Sequence, residues 1–137
     1  MAEASVHTLA MVAPPDDVDT VHEMLESVWA SAPQISMRDR FSFETALIEL
    51  ASNVIRHADG GGGISCDLTV EITADQIVAC LIDSGLAGNI SLIARSMPGE
   101  LEESGRGLSI IHALVDEVDY DRSDDLNHWR IARTLDS

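Results

Sequence analysis

"ELASNVIRHA", Glu49 to Ala58, is the stretch on which the reading of the chain turns. Leu50, Ala51, Val54 and Ile55 recur at helical spacing and mark a face that packs on a core. Glu49, Asn53 and His57 recur every four residues along the same helix. Side chains four apart project alongside one another. A carboxylate, an amide and an imidazole therefore line one border of the apolar arc. Such a stripe is either the ordinary margin of an amphipathic helix or one wall of a ligand cleft.

Working outward, the helix runs from about Met37 to His57, with Phe43 and Leu47 continuing its apolar face. "DGGGG", Asp59 to Gly63, stops it. Four glycines also suit a phosphate cradle, but a strand follows rather than a helix start, which favours a helix stop and turn. "ISCDLTVEIT", Ile64 to Thr73, alternates apolar and polar residues as a half-buried strand does. A turn at Ala74 and Asp75 leads into "IVACLID", a nearly continuous apolar run that reads as a central strand. That hairpin places Cys66 near Asp83 and away from Cys80.

Before the long helix, Val6 to Val12 reads as a strand. Pro15, Asp16 and Asp17 suit the start of a helix that continues to about Trp29. After the central strand, Ser84 to Ser104 is a loop of about twenty residues, a length that is usually functional or mobile. A helix follows from about Gly105 to Val115. Val118 to Asp121 and Trp129 to Thr134 read as two strands joined by "SDDLN". The order is β, α, α, β, β, loop, α, β, β. It predicts one domain over residues 1–137, an α/β (α+β) two-layer sandwich. Its sheet is mixed and largely antiparallel, covered on one face by three helices.

Composition narrows the function. A chain of 137 residues buries roughly two-thirds of its unfolded surface. It carries 24 acidic and 8 basic residues, a formal charge of −16. Phosphate backbones and anionic lipid repel such a chain, so direct nucleic-acid and membrane binding are not expected. Solubility is the plain account of that charge. Every basic residue is an arginine. Without lysine there is no Schiff-base chemistry and no G-x-x-x-x-G-K-[ST] phosphate loop. No signal-peptide pattern opens the chain, and no apolar run approaches the ~20 residues of a membrane span. Two separated cysteines suit a reducing cytoplasm.

Two further motifs join the α-helical stripe. In "LIDSG" an apolar strand delivers Asp83 at its end, where a carboxylate accepts hydrogen bonds from an exocyclic amine, and Gly85 lets a flat ring approach. In "SGRGLSII" Gly105 and Gly107 flank Arg106 where a helix begins, and free N–H groups there attract anions. D-x-G and G-x-G are each weak alone and equally suit a turn and a helix cap.

Order, spacing and context together resemble the GHKL (histidine-kinase-like, Bergerat-fold) ATPase superfamily, with its N box, G1 box and G2 box. Chain size and the phrases "ELASNVIRHA" and "SGRGLSII" look most like the RsbW-type anti-sigma-factor serine/threonine kinases. The resemblance spans about Ser5 to Leu135. It implies that Asn53 supplies a side-chain oxygen to Mg²⁺ on the ATP phosphates, and that Glu49 is the general base. It implies that Asp83 holds the adenine amino group, with Gly85 giving clearance. Gly105, Arg106, Gly107 and Leu108 would form the phosphate-binding G2 segment. Residues 84–104 would be the ATP lid, with Arg95 a candidate for the γ-phosphate. His57 matches a histidine common in that subfamily, without an assigned chemical role. Ala87 stands where many relatives have the last glycine of D-x-G-x-G.

The same resemblance implies partners: a sigma factor that is sequestered and a STAS-type anti-anti-sigma protein that is phosphorylated. Proteins of this kind often form homodimers. Three other readings compete: a catalytically silent nucleotide- or protein-binding module, a detached histidine-kinase catalytic domain, and a metal enzyme built on His57. His7, His22, His112 and His128 show no ligand spacing with His57.

Overall fold

The computed structural model describes residues 5–13, 16–58, 63–85 and 110–135. The first strand, β1 (Ser5–Ala13), is followed by α1 (Val18–Ala30) and α2 (Met37–Ala58). Next come β2 (Ile64–Ile72), β3 (Gln76–Asp83), β4 (Glu117–Ser123) and β5 (Leu126–Thr134). Residues 110–114 are helical as well and form a third helical segment.

Both long helices start on side-chain caps. Asp17 accepts from the Asp19 amide at 2.9 Å, and Thr20 returns the favour to the Asp17 amide, a capping box that satisfies donors the helix itself cannot. Ser36 Oγ accepts from the Asp39 amide at 3.1 Å and does the same for α2. The first turn of each carries an aspartate, Asp19 and Asp39, which suits the positive helix end.

The sheet runs β1-β2-β3-β5-β4, and each of its four pairings is antiparallel. The turn at Ala74 and Asp75 sets the β2–β3 register, with Cys66 opposite Asp83 and Thr69 opposite Cys80. Both cysteines are free, as that register requires. The β4–β5 hairpin is longer than the sequence reading. Only Asp124 and Asp125 form its turn, at φ 54° and 62°, the positive-φ pair of a two-residue I′ connection. Leu126 and Asn127, which read as turn residues, belong to β5, as does His128.

Alternation along the strands builds the core. Ile64, Cys66, Leu68, Val70 and Ile72 are all buried on one face of β2, and α2 lays Phe43, Leu47, Leu50, Ala51 and Val54 over that layer. Burying each large side chain contributes about 1.5–3 kcal/mol. α2 packs on β3 and β5, the strands that carry the polar residues described next.

Candidate functional site

Two polar groups interrupt the apolar layer, one on each side of the α2–sheet contact. On α2, Glu49 is half-buried at the border of the apolar face, and Asn53 one turn later is fully buried. Asn53 Oδ1 accepts one long bond of 3.4 Å from Arg56 Nη2. Its Nδ2 is buried with no hydrogen-bond partner. A buried amide donor left unpaired costs about 1–3 kcal/mol, a cost that the apolar environment of the helix does nothing to recover. His57 continues the stripe in position, and its side chain lies outside the described ones.

On the sheet, β3 ends in Asp83, fully buried on the core face. Three N–H groups converge on its carboxylate. The Gly85 amide reaches Oδ1 at 2.8 Å and Asn127 Nδ2 reaches the same oxygen at 2.9 Å. Trp129 Nε1 reaches Oδ2 at 3.0 Å. The Gly85 bond closes the Asp-Ser-Gly turn expected of "LIDSG". Ser84 extends the β2–β3 pairing past Asp83, through its amide to Ser65 O and its Oγ from the Ser65 amide. The charge of Asp83 also acts on its neighbour. Burial first, then the charges of Asp83 and Asp67, pushes the Cys66 thiol up to about 12.

Asn127 and its partners are the residues around Asp83 that the sequence reading missed. Tyr120 OH and Arg122 Nη1 both donate to Asn127 Oδ1, the latter at 2.9 Å, and Arg122 Nη1 also reaches Gly85 O at 3.1 Å. Tyr120 and Trp129 lie ring against ring, centroids 4.5 Å apart. The signal was present: running the alternation of Ile131 and Trp129 back two residues puts Asn127 on the core face.

Arg95, Gly105, Arg106, Gly107 and Leu108 lie outside the described residues, as do Ala87 and the lid beyond Gly85. Of the predicted site, the structure thus places Glu49 with Asn53 on one turn of α2, and Asp83 with Gly85 at the end of the strand beneath it. Among the described residues there is no group of three or more His, Cys, Asp or Glu side chains able to hold a metal ion. A divalent cation here would be held mainly by a ligand's oxygens, as Mg²⁺ commonly is. Among the described residues no helix is long and apolar enough to cross a membrane.

The family model described as the histidine kinase-like ATPase domain matches residues 11–133, nearly the whole chain. The chain belongs to the histidine kinase-like ATPase family. Domains of this family bind ATP, usually with Mg²⁺. No curated protein matches the chain. Among solved structures it is similar to the histidine kinase domain of the blue-light activated histidine kinase from Erythrobacter litoralis EL346. That likeness has a TM-score of 0.55 at 13% identity, over 86% of this chain and 60% of the other. It is a likeness of fold, and the chain spans less than two-thirds of the length of that relative.

The residues present fit Mg²⁺-ATP on two counts. Asn53 has a buried amide whose ends exchange by a half-turn, one end unpaired and the other held only by a long bond. Asp83 offers roughly four acceptor positions, and protein donors take three of them.

Proposed function

We propose that this histidine kinase-like ATPase domain is an anti-sigma factor and protein serine kinase. It phosphorylates a STAS-type anti-anti-sigma partner at the expense of ATP and sequesters a sigma factor. The observation that carries the reading is the pair on α2: half-buried Glu49 one turn before buried, half-satisfied Asn53. The family membership supports nucleotide binding. The partners rest on the resemblance of the sequence motifs to RsbW-type kinases.

In this mechanism Asp83 holds an N–H of the base and so fixes the nucleotide at the end of β3. Asn53 turns its amide oxygen toward the phosphates. Bound Mg²⁺ supplies charge neutralisation on the phosphoryl group as it transfers. Glu49 accepts the proton of the attacking serine hydroxyl, whose oxygen bonds to the γ-phosphorus while the bond to the leaving ADP oxygen breaks. Phosphoryl transfer depends mostly on positioning and charge stabilisation, so few protein groups are needed. Glu49 at the border of the apolar face is open to a partner in a way that buried Asn53 is not.

The test is transfer of labelled γ-phosphate from ATP to a purified STAS-domain protein, with wild type and Glu49→Gln. The expected result is phosphoserine with the wild type, and a loss of about 100-fold or more in Glu49→Gln with ATP binding kept. Full transfer by Glu49→Gln would remove the assigned base. Label on a histidine of the chain itself would favour the histidine-kinase reading instead.

A further inference from the structure

We infer that Asn127 is a positioning residue for base recognition: it holds the Asp83 carboxylate so that one acceptor position, on Oδ2, is left for an N–H of the base. It thereby sets a preference for a purine with a 6-amino group. The inference rests on the nucleotide site proposed above.

Asn127 is fully buried and stands directly opposite Asp83 in the β3–β5 register. Nδ2 donates to Asp83 Oδ1 at 2.9 Å and to Gly85 O at 3.3 Å. Oδ1 accepts from Arg122 Nη1 at 2.9 Å and from Tyr120 OH. An amide has two N–H donors and an oxygen with two lone pairs, so these bonds fill its capacity. The orientation is fixed as well. A half-turn would set the amide oxygen against the Asp83 carboxylate and the NH₂ against the Arg122 guanidinium. Asn127 therefore has nothing left to offer a ligand and acts through Asp83.

Its effect on Asp83 follows from counting. Oδ1 takes two N–H groups, from Gly85 and Asn127, and Oδ2 takes one, from Trp129. The acceptor position that remains is on Oδ2. A buried carboxylate with one open position favours one N–H donor and rejects an acceptor placed there. An adenine-type 6-amino group meets that demand. The 6-oxo group of hypoxanthine meets it with an oxygen. Without the Asn127 donor, Oδ1 keeps only the Gly85 amide and gains an open position of its own, so the carboxylate no longer presents a single acceptor position on Oδ2.

The experiment is titration calorimetry of the full chain with ATP and with inosine triphosphate, for wild type, Asn127→Ala and the near-isosteric Asn127→Asp. Melting curves identify any variant that fails to fold. The wild type is expected to prefer ATP by about 10- to 100-fold. Both variants are expected to bring that ratio to within about threefold of unity, with inosine triphosphate affinity little changed. A merely structural role would weaken both nucleotides by one factor and leave the ratio intact, and that result overturns the inference. So does a wild type that binds the two equally, though the nucleotide site would then stand. A folded wild type that binds neither overturns the site and the inference together.

Discussion

Arg133 Nε donates to Asp39 Oδ1 at 2.9 Å and joins the last strand of the sheet to the first turn of α2. The Asp39 side chain is 1% exposed and that of Arg133 15%. Arg133 Nη1 also donates to Leu114 O at 2.7 Å. One guanidinium thus ties together the helix that carries Glu49 and Asn53, the strand that carries Asn127, and residue 114 at the end of the third helix.

Removing one partner of such a pair leaves a buried charge uncompensated, which costs about 3–5 kcal/mol. Asp39→Ala should therefore lower the stability of the chain by that amount in urea denaturation. Replacing both partners with apolar residues of similar size, Asp39→Leu with Arg133→Met, should cost clearly less. A single variant no less stable than the double one would contradict this role.

Asn53 leads to the opposite expectation. Its buried Nδ2 has no partner, and an unpaired buried donor costs about 1–3 kcal/mol. Asn53→Leu should melt at the wild-type temperature or above it while losing Mg²⁺-dependent nucleotide binding. Groups held for a ligand often trade stability in this way. A large loss of stability would mean that Asn53 is part of the scaffold instead.

Cys66 gives a prediction in pH. Its thiol pKa rises from 9.0 to about 12, through burial first and then through Asp83 and Asp67. A group raised in the folded state stabilises the fold fully below its unfolded pKa and loses that contribution as pH climbs to the folded one. Wild-type stability should therefore fall between about pH 9 and pH 12 more steeply than that of Cys66→Ala. Urea midpoints across that window give the comparison. Burial also raises Tyr120, but Tyr120 is common to both proteins, so the difference isolates Cys66. Parallel curves would remove the assigned cause.

The β4–β5 turn is locally strained. Asp124 and Asp125 both hold positive φ, a region that costs a residue with a Cβ roughly 1–2 kcal/mol and glycine nothing comparable. Asp125→Gly should raise the thermal midpoint, with a gain of about 1 kcal/mol. An unchanged or lowered midpoint would count against the turn as described.

These residues also show what could be read from sequence. The β2–β3 hairpin was legible because strict alternation from Ile64 and a turn at Ala74 and Asp75 leave one register, and Cys66 does face Asp83. α2 was legible from its apolar spacing, and its polar stripe pointed to Asn53. Asn127 was not read, because a polar residue beside Asp124 and Asp125 looks like a turn. Its reason for burial, Asp83, lies 44 residues away. The link from Arg133 to Asp39 spans 94 residues and leaves no local trace. The sheet order β1-β2-β3-β5-β4 likewise depends on pairings that no single segment encodes.

The central claim is that the α2 stripe and the end of β3 form one nucleotide site. Its most direct test is calorimetric titration with ATP, with and without Mg²⁺, of wild type, Asn53→Ala and Asp83→Asn. The account predicts Mg²⁺-dependent binding by wild type. It predicts loss of the Mg²⁺ dependence in Asn53→Ala, and loss of binding under both conditions in Asp83→Asn. A folded wild type that binds no ATP, or binding that both variants leave untouched, would contradict it.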